Sequence, residues 1–234
     1  MTQYVKTSNI LDKEFLLGTD WDLIELDITT SVDELVSWYN TITEKYDYLR
    51  FDFSLKHLLK DQYATGVYDS YGFENVLQGG IYSWSLDWPI EKDIPIPPTF
   101  SAKTDLFPEL EQNLKFVIQE KFKFGYFSKL CKTLGEDAFC FSRITQHDSD
   151  ARIAKHVDAG LGLRVHVPIV ATNASRFLFG DSLDRSYTFE PGKTYIINAK
   201  IPHCTINQGP VRAHIISDPS VDKLLDLMKM RVHI

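Results

Sequence analysis

Seven histidines occur in the chain, and five of them fall between positions 147 and 214. Two of these stand where chemistry is possible. In KHVDAG, His156 and Asp158 flank a single residue, so at the extended end of a strand their side chains can converge. His203, in IPHC, opens a later β-rich run. Two neutral imidazoles and one carboxylate can cap one face of an octahedral metal and leave three adjacent positions open, the arrangement of non-haem Fe(II) oxygenases. Taken singly, each piece has a blander and commoner use. A His-x-Asp pair often marks a polar strand end, and a lone histidine often sits at a strand edge.

Two strands add to the pattern. In LRVHVPIV, Leu163, Val165, Val167 and Ile169 face one way while Arg164 and His166 face the other. In VRAHIISD, Val211, Ala213 and Ile215 oppose Arg212 and His214. These Arg-x-His faces are either solvated strand sides or cations turned inward beside a metal. A guanidinium matches a carboxylate with its planar fork, so a metal-chelating dicarboxylate would find its anchor here. His147, within QHDSD, reads as solvated, and Cys204 reads as core. Trp84 and Trp88 read as core residues that could otherwise flank a cleft. The H-E-x-x-H, G-x-S-x-G, P-loop and G-x-G-x-x-G motifs are absent.

From residue 137 onward the chain breaks into short β-rich runs: AFCFSRIT, LRVHVPIV, SRFLFG, RSYTFE, KTYIIN and VRAHIISD. Turn chemistry separates them, which predicts an antiparallel barrel or sandwich. Before it the texture is mixed. WDLIELDI (21–28) and GIYSWSLDW (80–88) read as strands. SVDELVSWYNTITEKY (31–46) opens with the Ser31/Glu34 capping-box pattern and carries Leu35, Trp38, Ile42 and Tyr46 at helical spacing. TDLFPELEQNLKFVIQEKF (104–122) reads as a helix, GYFSKLCKTLG as a shorter one ending at Gly135, and SVDKLLDLMKM as a last one. The proline-rich stretch 88–100 reads as an extended connector.

The totals set bounds on partners. A net charge of −7 argues against nucleic acid, and no apolar run is long enough to span a membrane. The first residues lack the pattern of a secretory signal, and three cysteines without C-x-x-C spacing suit a reducing compartment, so a cytoplasmic location is expected.

Residues 140–218 carry several motifs in order: H-x-D, then R-x-H-x-P-I followed by T-N, then P-G-K before an apolar strand, then P-H-x-x-x-N and R-x-H-x-x-x-D. This ordered set resembles the aspartyl/asparaginyl β-hydroxylase family of Fe(II)- and 2-oxoglutarate-dependent dioxygenases, whose proline-hydroxylase relatives share much of it. The resemblance implies a mainly β fold with helical decorations, a double-stranded β-helix (jelly roll, cupin-like). It implies one dioxygenase domain over 1–234: decorations and substrate-side elements in 1–135, the jelly-roll core in 136–218 and a C-terminal helix in 219–234. It further implies that His156, Asp158 and His203 bind iron and that Arg212 holds the distal carboxylate of 2-oxoglutarate. Arg164 and His166 would touch cosubstrate carboxylate in the same pocket. Arg143 and Asn207 would line it, and His214 would share the Arg212 face in a direct or supporting role. The implied reaction consumes O2 and 2-oxoglutarate, releases succinate and CO2, and hydroxylates an unactivated C–H of a free or peptidyl amino acid. Asp158 favours hydroxylation, because related halogenases lack that carboxylate. The alternative is a cupin-like barrel that binds a metal or small acid without turnover.

Overall fold

The computed structural model describes residues 4–7, 12–46, 49–51, 77–78, 81–89, 116–158 and 161–234. A short strand β1 (Tyr4–Lys6) pairs in parallel with β2 (Leu23–Thr29). Between them lies helix α1 (Lys13–Leu17), capped by the Asp12 carboxylate, which accepts from the Phe15 amide at 2.8 Å. Helix α2 (Val32–Lys45) buries Leu35, Trp38, Tyr39 and Ile42 along one stripe. Its expected capping box does not form. The Ser31 side chain makes no cap bond, and its backbone amide instead donates to the Tyr126 hydroxyl.

Strands β3 (Leu49–Phe51), β4 (Leu77–Gln78), β5 (Ile81–Ser85), β6 (Asp87–Pro89) and β7 (Phe116–Ile118) follow. The strand expected over 80–88 is thus two, broken at Leu86. The helix expected over 104–122 lies outside the described residues up to 115, and the rest is not helical. Phe116–Ile118 pairs with Asp87–Pro89, and a single 3-10 turn follows at Glu120–Phe122. The aromatic and β-branched run Phe-Val-Ile suits a strand, and here it has a partner to pair with. Helix α3 (Gly125–Leu134) ends at Gly135, whose φ of 87° is open to glycine at little cost.

Eight consecutive strands form the barrel: β8 (Arg143–His147), β9 (Arg152–His156), β10 (Leu163–Val170), β11 (Ser175–Phe179), β12 (Arg185–Tyr187), β13 (Lys193–Asn198), β14 (His203–Asn207) and β15 (Arg212–Ser217). The run AFCF expected to begin this series is not a strand; Ala138 and Phe139 close a 3-10 turn. The pairing is nested and antiparallel: β8 with β15, β9 with β14, β10 with β13, β11 with β12. One long hairpin is therefore rolled into two sheets, ordered β13-β10-β15-β8 and β12-β11-β14-β9, and this is a jelly roll. The larger sheet continues through β2 and β1 at one edge and β5 and β3 at the other. Strand β16 (Val232–His233) also joins β2, and β4 extends the smaller sheet.

Alternation gives the larger sheet two buried faces. Ile144, Val165, Val167, Ile169, Ala213 and Ile215 share one apolar cluster with α2, α3 and helix α4 (Val221–Lys229). The opposite face turns into the barrel. Its apolar filling is Leu23, Phe177, Phe179, Phe189, Tyr195 and Ile197. The inward Arg and His residues of β8, β10 and β15 are its polar part. No helix among the described residues is long and apolar enough to cross a membrane.

Candidate active site

Strands β9 and β14 bring two histidines together. His156 and His203 stand opposite each other in the ladder, with ring centroids 4.3 Å apart. Asp158 follows β9 directly, and its amide donates to the Ala199 carbonyl at 2.9 Å, which fixes the turn. The Nδ1 of His156 lies 2.8 Å from the Ala154 carbonyl, and that of His203 lies 3.0 Å from the Ile201 carbonyl. A carbonyl only accepts, so each Nδ1 carries the hydrogen and each Nε2 keeps its lone pair. Those lone pairs face the carboxylate: His156 Nε2 is 3.5 Å from Asp158 Oδ1, and His203 Nε2 is 3.9 Å from Oδ2. One ligand atom from each residue lies within 4.8 Å of the others.

Protonation states agree with a metal centre. Burial lowers His203 to about 4, so it is neutral at neutral pH. Burial pushes the Asp158 carboxyl up, but the Arg164 guanidinium, the His156 hydrogen bond and the nearby imidazoles together outweigh this and hold it below the usual carboxylate range. Three electron-pair donors that converge without a hydrogen between them repel one another, and a cation reconciles them. Two imidazoles and one carboxylate are the donor set that suits Fe(II) with open positions.

Arg164 sits at this centre with its fork engaged by protein carboxylates. Nη1 is 3.0 Å from Asp158 Oδ2 and Nε is 3.1 Å from Asp218 Oδ1. Arg143 Nη1 approaches Asp218 Oδ2 at 3.9 Å. The sequence expectation had Arg164 touching a cosubstrate carboxylate and Arg143 lining the pocket; here both belong to an ion-pair chain that starts at a metal-ligand candidate.

Deeper in the barrel lies a cation of a different kind. Arg212 is 3% exposed and pairs with no carboxylate among the described residues. Its neighbours are imidazoles: Nη1 is 3.2 Å from His147 Nδ1, and Nη2 is 3.4 Å from His214 Nδ1. His166 Nδ1 meets the same His214 nitrogen at 3.2 Å. Arginine cannot accept, so His214 Nδ1 takes both hydrogen bonds and His166 Nδ1 donates. Among the described residues, the Nε2 atoms of His166 and His214 are then left buried without a partner, as are the hydroxyls of Thr145 and Thr205. Buried polar atoms of this kind are rarely left unpaired, and a polar ligand would satisfy them. Burial, with the Arg212 charge second, holds His147, His166 and His214 well below 6.5, so all three are neutral.

Asn207 serves the fold. Its amide donates to the carbonyls of His147, Asp148 and Pro210, and its oxygen accepts from Ser175 and the Gly209 amide. The polar groups expected to line a pocket are consumed in stapling the β14–β15 turn to the end of β8.

His147 corrects the sequence reading. It is not solvated but 1% exposed, the last residue of β8, on the face of Arg143 and Thr145. Continuing the alternation Arg143-Thr145-His147 through the strand would have found it. Cys204 and Trp84 are buried, as expected, whereas the Trp88 side chain lies outside the described residues.

No family model matches the sequence, and no curated protein matches it. Solved structures do. A 2OG-Fe(II) oxygenase family oxidoreductase from Burkholderia pseudomallei is 11% identical, with 77% of this chain and 88% of that chain covered and a TM-score of 0.32. A cupin-like protein from Thermotoga maritima is 9% identical, with 65% and 77% covered and a TM-score of 0.33. The non-heme alpha ketoglutarate dependent epimerase SnoN from nogalamycin biosynthesis is 9% identical, with 83% and 76% covered and a TM-score of 0.42. Likenesses this distant carry no conclusion about the reaction; the nested strand pairing itself makes the chain a mainly β jelly roll.

Proposed function

We propose that the chain is an Fe(II)- and 2-oxoglutarate-dependent dioxygenase, acting as one domain, that hydroxylates an unactivated C–H of a small-molecule amino acid or a peptidyl residue. The observation that carries this reading is Arg212: a guanidinium buried without a carboxylate among the described residues, in the same barrel as a His-Asp-His donor set. His156 Nε2, His203 Nε2 and an Asp158 oxygen would hold the iron. Arg212 would anchor the far carboxylate of 2-oxoglutarate, with the His214 Nε2–H as a further donor nearby and His166 orienting that ring. Iron, 2-oxoglutarate and O2 together supply the oxidising chemistry, with succinate and CO2 as co-products. The protein's own part is to orient these groups and, through Phe177, Phe179 and Phe189, to keep bulk water from them. On this reading the chain acts in the manner of the aspartyl/asparaginyl and proline hydroxylases. Three free cysteines suit a cytoplasmic setting.

The test is anaerobic. Fe(II) and 2-oxoglutarate added to the protein should give a weak visible charge-transfer band, and an Asp158→Ala/His203→Ala double variant should lack it. No band in the wild type, or a band that survives in the double variant, refutes the assignment. Succinate release with candidate amino acids and peptides then identifies the substrate, and a product mass gain of one oxygen separates hydroxylation from other outcomes.

A further inference from the structure

Among the described residues, the Arg212 guanidinium is held by rings rather than by a counter-ion. One ring comes from its own sheet. His147 stands directly across from Arg212 in the β8–β15 ladder, and Nη1 lies 3.2 and 3.4 Å from its two ring nitrogens. Near-equal distances to both nitrogens put Nη1 over the ring face, since an in-line hydrogen bond would reach only one of them. The other ring comes from the facing sheet: the Phe177 centroid, on β11, is 4.7 Å from Arg212 Cζ. Both rings are buried. A neutral imidazole presents a π face here, not a second positive charge.

We infer that His147 and Phe177 are positioning residues that hold the Arg212 guanidinium flat, so that its remaining N–H groups form a preorganised two-pronged site for the far carboxylate of 2-oxoglutarate. The inference rests on the cosubstrate reading above. A long side chain with no ion-pair partner would otherwise lose conformational freedom when its ligand binds. Aromatic faces remove that freedom beforehand, and they do so without neutralising the charge that the ligand needs. A protein carboxylate in their place would orient the guanidinium equally well and close the site.

The test uses the full chain with Mn(II) in place of iron, titrated calorimetrically with 2-oxoglutarate. His147→Ala and Phe177→Leu should each weaken 2-oxoglutarate binding by about 3- to 30-fold. Mn(II) affinity without 2-oxoglutarate should stay at the wild-type value, which a general loss of folding would not allow. His147→Phe keeps a ring face and should restore most of the binding. Arg212→Met serves as the reference for full loss. Wild-type 2-oxoglutarate affinity in His147→Ala and Phe177→Leu, beside a loss in Arg212→Met, overturns the ring clamp alone. So does a His147→Phe variant as weak as Arg212→Met. An Arg212→Met variant that binds 2-oxoglutarate normally overturns the cosubstrate reading itself. Should His147→Ala fail to fold, Phe177→Leu and His147→Phe decide by the same criteria.

Discussion

Replacing Arg212 with methionine should stabilise the ligand-free protein while making it insensitive to 2-oxoglutarate. Burial lowers the Arg212 pKa from the ordinary guanidinium value to about 9. At 1.36 kcal/mol per pKa unit, burial disfavours the charged form by roughly 5 kcal/mol. The folded pKa lies below the unfolded one, so this penalty is present in full at pH 7 and is relieved only as the pH rises past about 9. Contacts with His147, His214 and Phe177 return about 2 kcal/mol. Methionine fills similar space without charge, so a net gain of about 1–4 kcal/mol is expected. In a chain of this size each kcal/mol raises Tm by about 2–4 °C. The assay is thermal unfolding with and without Mn(II) and 2-oxoglutarate. Wild type at a hundred times its Kd should gain about 2.7 kcal/mol from the cosubstrate, and the variant nothing. A ligand-free variant that melts below wild type would show that the cation is satisfied within the fold. A variant still stabilised by 2-oxoglutarate would show that Arg212 is not its anchor. Either result refutes the reasoning.

Other expectations follow from the same contacts. Asn207→Ala, which removes a wholly buried amide with five hydrogen bonds, should destabilise by about 3 kcal/mol in urea unfolding yet leave metal and 2-oxoglutarate affinity unchanged in the folded fraction; a selective loss of ligand binding would return Asn207 to the pocket. His147, His166 and His214 are kept neutral by the fold, so an unfolded chain takes up protons that the native one refuses. Stability should therefore fall as pH drops through 6.5, and an unchanged urea midpoint at pH 5 would contradict this. Ser220 caps α4 by accepting from the Lys223 amide, whereas the Ser31 side chain caps nothing. Ser220→Ala should lose about 1 kcal/mol and Ser31→Ala much less; equal losses would deny the difference.

What the sequence shows well is whatever repeats with a short period. The alternation in Leu163–Val170 and Arg212–Ser217 put Arg164 with His166, and Arg212 with His214, on one face of each strand, and the structure turns both faces into the barrel. The motif order similarly brought His156, Asp158 and His203 to one place. Less legible was anything that depends on a distant partner. Ser31 has the letter pattern of a capping box, but Tyr126, far along the chain, takes its amide into another bond. The apolar spacing after residue 104 reads as helical, yet Phe116–Ile118 finds a partner strand in Asp87–Pro89, and tertiary pairing overrides the period. Arg164 looks free in sequence because its two carboxylates are supplied by the turn after β9 and the residue after β15. His147 was hidden by the polar letters that follow it, which belong to the next turn and not to the strand.

On the proposed function, the nested hairpin would give a bound metal a second office. His156 and His203 are far apart in sequence but sit on opposite legs of the same rolled hairpin. An ion gripping both legs works as a rivet: it closes a long loop whose entropy the chain would regain on opening. Iron scarcity would then loosen the barrel from this end before the helical side gives way. Amide exchange in β9 and β14 should slow when Mn(II) is added, while the buried residues of α3 keep their rates. The same grip would make metal loading a checkpoint on assembly, since the rivet could be set only after the two legs have met.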